Sequence, residues 1–120
     1  MLFNSLSASA DRNATIKGHT VTVQGRLKEI SIKGVAVESS KNASVGTRLE
    51  VIFELPALER FNQMTLFGHV RSSHNTANGY FLTIEFEELA KRDFDIIEDF
   101  LAYKERLKEL GRQLHRKANS

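Results

Sequence analysis

The stretch Glu29-Ile30-Ser31-Ile32-Lys33-Gly34-Val35-Ala36-Val37-Glu38-Ser39 decides the fold. Ile30 and Ile32 alternate with polar neighbours, as in a half-buried strand, but past Gly34 the apolar residues are Val35 and Val37. Even positions have become odd. A one-residue phase shift marks a β-bulge, whose extra residue re-aims every later side chain. Glycine can adopt the conformation a bulge requires without a Cβ clash. Two readings of Gly34 stay open. It is a structural bulge that curves a barrel strand, or a bulge beside a binding site that displays Glu29, Ser31 and Lys33 together.

Outward from this stretch the period stays at 2. Val21 and Val23 share a face, and Leu49, Val51, Phe53 and Leu55 share another, ended by the single proline, Pro56. Leu66 and Val70 flank Gly68, and Tyr80, Leu82, Ile84 and Phe86 repeat the pattern. Asn78-Gly79 between the last two runs suits a tight hairpin. Short strands at hairpin spacing predict an antiparallel barrel, and no repeat or linker divides it. The expected division is a flexible arm over residues 1–12, a barrel over 13–89 and a helix over 90–117.

The helix has no proline, with Asp93 and Asp95 near its start and Arg112, Arg116 and Lys117 near its end, which complements the helix dipole. At 1.5 Å per residue it is about 40 Å long, more than a small barrel can cover, so part of it must project. Ile96, Phe100, Tyr103, Leu107, Leu110 and Leu114 are spaced 4, 3, 4, 3, 4, a heptad seam. Phe94, Ile97 and Leu101 form a second stripe confined to the first half. The short stripe is assigned to the barrel. The seam from Phe100 onward is assigned to another copy of the chain, so a homo-oligomer is expected.

Composition narrows the function classes. The chain has 120 residues, 41% of them hydrophobic, enough for one domain with an ordinary core. It has no cysteine, hence no disulfide and no thiolate metal site, which fits a reducing cytoplasm. Its 17 Lys and Arg against 15 Asp and Glu give only +2, which does not make a nucleic-acid surface. The first ten residues lack the basic and apolar parts of a signal peptide, and no run approaches a membrane span. The histidines, His19, His69, His74 and His115, are scattered without metal-ligand spacing. No nucleophile motif accompanies them, so neither a catalytic residue nor a metal site is expected.

Glu29-Ile30-Ser31-Ile32-Lys33-Gly34 resembles the Asp/Asn-x-Ser-x-x-Gly motif of PilZ domains, bacterial receptors for cyclic di-GMP. VGTRLEVIFELP, FGHVRSS and GYFLTIEFEELAKRDFDIIEDFL follow the order of later PilZ strands and the closing helix, so the likeness spans roughly residues 13–103. The resemblance implies a mainly β fold, a six-stranded antiparallel PilZ-like barrel with a long C-terminal helix. It implies a non-enzymatic signalling adaptor with cyclic di-GMP as regulatory ligand, held by Arg12, Glu29, Ser31, Lys33 and Gly34. An arginine can grip guanine O6 and N7 in a bidentate pair, and a carboxylate can accept from the guanine N–H edge.

The chain departs from the family pattern at three places. Arg12 stands alone where the family has Arg-x-x-x-Arg, Glu29 replaces Asp or Asn, and Thr83 stands where glycine is common. Each lost bidentate arginine removes roughly 1–3 kcal/mol, so a weakened or lost ligand site is expected. The alternatives are a ligand-independent oligomerisation module and a small nucleic-acid-binding barrel with Phe67 and Phe81 as a stacking platform. Glu85, Glu87 and Glu88 beside those aromatics argue against the second. A protein partner is expected in the adaptor reading.

Overall fold

The structure, a computed structural model, describes the backbone of residues 2–118 and the side chains of residues 2–114. The side chains of His115, Arg116 and Lys117 therefore lie outside the described residues. Six antiparallel strands close into a barrel: β1 (Ser7–Lys17), β2 (Thr22–Ser31), β3 (Gly34–Ser39), β4 (Arg48–Ala57), β5 (Arg60–Thr76) and β6 (Gly79–Phe86). Their order round the ring is β1-β2-β3-β6-β5-β4. One helix, α1 (Lys91–Ala118), follows. The expected mainly β barrel with a long C-terminal helix is what the chain forms.

The opening stretch folds differently from the bulged strand expected. Ile30 lies opposite Val35, and Ile32 and Lys33 form the turn between β2 and β3. In a two-residue hairpin the numbers of facing residues sum to an odd number, so inward positions must change parity across the turn. Gly34 is not in the left-handed region; among the described glycines only Gly46 and Gly79 have positive φ. A true bulge does exist in β2, at Lys28. Leu27 faces Val37 but Glu29 faces Ala36, so Lys28 has no counterpart in β3. That is why Leu27 and Ile30, of opposite parity, are both fully buried.

The expected flexible arm is also revised. Ser7–Arg12 forms the first half of β1, with Ser7, Ala8 and Ser9 facing Ser31, Ile30 and Glu29 of β2. Ala10 and Asp11 bulge opposite Lys28, and Asp11 has φ 46°. Ahead of it Leu2–Asn4 makes a short 3-10 turn. β1 pairs with β4 only from Ala14 to Lys17. Below that the two strands part, and α1 packs against β4, β1 and β2 at this end. Ile96, Ile97, Phe100 and Leu101 join the barrel residues, Leu27, Ile30, Phe53 and Leu55 among them, in one buried core.

Candidate functional site

Ser31 closes the β2–β3 hairpin from inside. Its side chain is fully buried, and its hydroxyl accepts hydrogen bonds from the amides of Lys33 at 3.0 Å and Gly34 at 3.2 Å. The same oxygen lies 3.4 Å from the Gly34 carbonyl, to which it donates. The hydroxyl is thus spent on the turn. Gly34 is glycine because of crowding: a Cβ there would meet the Ile84 carbonyl and the Phe3 ring. Lys33 stands exposed at the tip.

Glu29 points elsewhere. It accepts a 2.5 Å hydrogen bond from Ser7 and lines a groove of about 660 Å³ between β1–β2 and the helix. Ser9, Lys28, Lys104 and Lys108 share that groove. Lys28 is already held 3.1 Å from Asp11, whose carboxyl is kept below its ordinary value by that hydrogen bond and by Arg26. Arg12 aims away, toward β4 and β5. Its guanidinium is 3.8 Å from Glu54 and 5.7 Å above the Phe61 ring. The five residues expected to share one ligand therefore divide among a buried turn, a hairpin tip, a groove and the far side of β1. Thr83 pairs with Ala36 and Ser72, and its hydroxyl lies 2.5 Å from that of Ser72.

The helix seam divides as well. Phe100 was expected in an interface between chains but is 4% exposed, buried in its own core. Tyr103, Leu107, Leu110 and Leu114 are 42%, 46%, 51% and 59% exposed, and from Tyr103 on the seam faces water. The aromatic platform does not form. Phe81 faces His74 on β5, seven residues from Phe67, or about 23 Å along a strand. Arg48 covers Phe67 with its guanidinium 4.1 Å from the ring, and Glu87 accepts from Arg48 at 2.6 Å. Among the described residues no three His, Asp or Glu side chains gather to hold a metal ion, and no helix is long and apolar enough to cross a membrane.

The β4–β5 turn leaves little mark in the sequence. The β4–β5 hairpin turns through Leu58 and Glu59, with φ 52° and 63°. Nothing in Ala57-Leu58-Glu59-Arg60 marks a turn, since it lacks Gly, Asn and Pro. Pro56, expected to end its strand, sits within β4 opposite Phe61. Asn62 is the only signal, a polar residue at an inward position. It donates to the carbonyls of Leu55, Ala57 and Arg60 beneath the turn.

A family model described as PilZ domain matches residues 9–103. No curated protein sequence matches the chain. Among solved structures it is similar to the Bacillus subtilis inhibitor of motility (MotI/DgrA), with TM-score 0.72 and 24% identity over 96% of this chain and 53% of that one. It is similar to the Borreliella burgdorferi PlzA protein solved in complex with c-di-GMP, with TM-score 0.53 and 20% identity over 76% of this chain and 33% of that one. The PilZ domain of CeSA from a cellulose-synthesizing bacterium gives TM-score 0.59 and 17% identity over 81% of this chain and 96% of that domain. The chain thus spans about half the length of the first of these relatives.

Proposed function

The chain belongs to the PilZ domain family, and from that premise we propose that it is a non-enzymatic cytoplasmic signalling adaptor working through protein contacts. Cyclic di-GMP, bound to PlzA in its solved complex, is the ligand to consider, and this chain holds it weakly or not at all. The observation that carries the reading is the Ser31 hydroxyl, turned inward and hydrogen-bonded within its own hairpin while Arg12 serves Glu54 and Phe61. A guanine reader needs these groups free and convergent.

Contacts between copies are the second part of the proposal. Tyr103, Leu107, Leu110 and Leu114 leave an apolar stripe in water, and burying a leucine is worth roughly 1.5–3 kcal/mol, so they favour pairing of helices. The same stripe supports the alternative, an oligomerisation module that needs no ligand. Calorimetric titration with cyclic di-GMP separates the two. Binding in the tens of micromolar favours a weakened receptor, silence at millimolar ligand favours the module, and sub-micromolar affinity refutes the weakened site.

A further inference from the structure

The β4–β5 hairpin is built against local preference. A two-residue turn with both residues left-handed is ordinarily Asn-Gly or Asp-Gly, because a Cβ there is strained. Leu58 and Glu59 hold those positions, and Leu58 is 51% exposed, so its side chain adds little to the core. The turn is nevertheless fixed from two sides. Asn62 ties three carbonyls beneath it, and the Leu58 amide donates to Asp99 of the helix at 2.8 Å. A rigid turn thus holds a leucine half in water, beside Phe61 at 65% exposure. With Tyr103 and Arg106 of the helix they line an open cleft of about 820 Å³.

Tyr103 belongs to this cleft and also begins the exposed helix seam, so the two apolar surfaces are continuous. Their combined size points to the occupant. If a fully exposed large side chain offers roughly 200 Å², the four seam residues supply about 400 Å², half of the ~800 Å² each partner contributes to a standard interface. Leu58 and Phe61 add about 230 Å², and their polar neighbours close the gap. The seam alone thus supplies about half of a standard contact, and the seam joined to the hairpin about four fifths.

We propose that a second copy of this chain covers the cleft. The helices pair antiparallel about a two-fold axis, and Leu114 of the partner subunit seats among Leu58, Phe61 and Tyr103. This rests on the helix-mediated pairing proposed above and adds the barrel hairpin to it. Spacing permits an antiparallel pair and bulk favours it. Tyr103 and Leu114 are equidistant from the midpoint between Leu107 and Leu110, so a two-fold axis there sets Tyr103 against Leu114 and Leu107 against Leu110. A parallel pair would bring both hairpins to the same level beside Tyr103 and hold the helices apart there. The antiparallel pair sets the helix turn at Leu114 against each hairpin, and the helix dipoles also favour it. Both charge signs border the cleft, Arg60 and Arg106 with Glu59 and Asp99, so the contact is apolar in origin.

The absence of native cysteine makes a direct test available. Within one copy Leu114 lies eleven residues beyond Tyr103, about 16 Å along the helix, too far for a disulfide to Phe61. Mild oxidation of the Phe61→Cys, Leu114→Cys double variant should give covalent dimers, and neither single variant should. Phe61→Lys should weaken the dimer at least tenfold by sedimentation velocity while the melting temperature holds within about two degrees. An unchanged dissociation constant in Phe61→Lys, with Leu107→Lys and Leu114→Lys still breaking the dimer, overturns the hairpin contact alone. Cross-linking by Leu114→Cys alone overturns the antiparallel arrangement, and a monomeric wild type overturns this inference together with the pairing.

Discussion

The hydroxyl of Ser31 accepts a hydrogen bond from the amide of Gly34 at 3.2 Å, across the turn that joins β2 to β3. With the Lys33 amide also on that oxygen, Ser31 serves this turn as a capping residue serves a helix. Ser31→Ala should leave buried donors unpaired and cost about 1–3 kcal/mol. A thermal melt should fall by several degrees, while weak cyclic di-GMP binding stays unchanged in calorimetry. A loss of binding without loss of stability would return the hydroxyl to the ligand.

Gly34→Ala tests the other end of the same turn. The added Cβ collides with the β6 backbone at Ile84 and with the Phe3 ring, so destabilisation of about 1–3 kcal/mol is expected. Removing the ring in Phe3→Ala should recover only part of this, because the Ile84 carbonyl remains. Denaturant midpoints of the single and double variants give the coupling.

Leu107→Lys with Leu114→Lys should convert an oligomer at tens of micromolar into a monomer by light scattering. Both side chains are about half exposed, so the folded monomer should keep its melting temperature within a few degrees.

Replacing Leu58-Glu59 by Asn-Gly should relieve strain of roughly 1–2 kcal/mol per residue and raise the melting temperature of the monomer by several degrees. If the turn is strained in order to present Leu58, the same change should weaken self-association, a stability gain with loss of contact. Melting of the Leu107→Lys, Leu114→Lys background isolates the first effect, and sedimentation of the otherwise native chain reads the second.

Acid should destabilise the barrel in a defined window. Asp11 is held below its ordinary 3.8, chiefly by the Lys28 hydrogen bond. Glu85 and Glu87 are held below 4.5, chiefly by hydrogen bonds from Arg71 and Arg48. A carboxyl with lowered folded pKa contributes stability above its unfolded value, and this is lost as pH falls through the folded one. Urea midpoints should therefore be flat from pH 7 to about 5 and decline below about 4.5, less steeply in Asp11→Asn. All three groups are at the surface, so added salt should flatten the decline.

The sequence carried the barrel because inward residues of β4, β5 and β6 keep strict alternation, and because the helical stripe at Ile97 and Leu101 is apolar where it meets the barrel. It misplaced the bulge, because a two-residue turn and an inserted residue change parity alike, and only pairing tells them apart. β1 was illegible at Ser7–Arg12, where small and polar residues become strand by pairing with β2. The site failed for a related reason. Spacing places Glu29, Ser31 and Lys33 on one strand face, but Lys33 lies in the turn and Ser31 is fully buried. The Leu58–Glu59 turn left only Asn62 as a trace, since its conformation is fixed by side chains outside it, Asn62 and Asp99.

The ring closes through two distant pairings, Ala14 with Phe53 and Val35 with Ile84, and the helix docks where β1 and β4 part. Such contacts form late, after the intervening chain has been made and collapsed. The helix follows every strand in the chain, so during synthesis its exposed leucines leave the ribosome after the barrel that must receive Ile96 and Ile97. Chain order thus works as a timing device. Tyr103, Leu107, Leu110 and Leu114, all exposed, reach solvent only after all six strands have been made, which shortens the interval in which nascent chains could entangle.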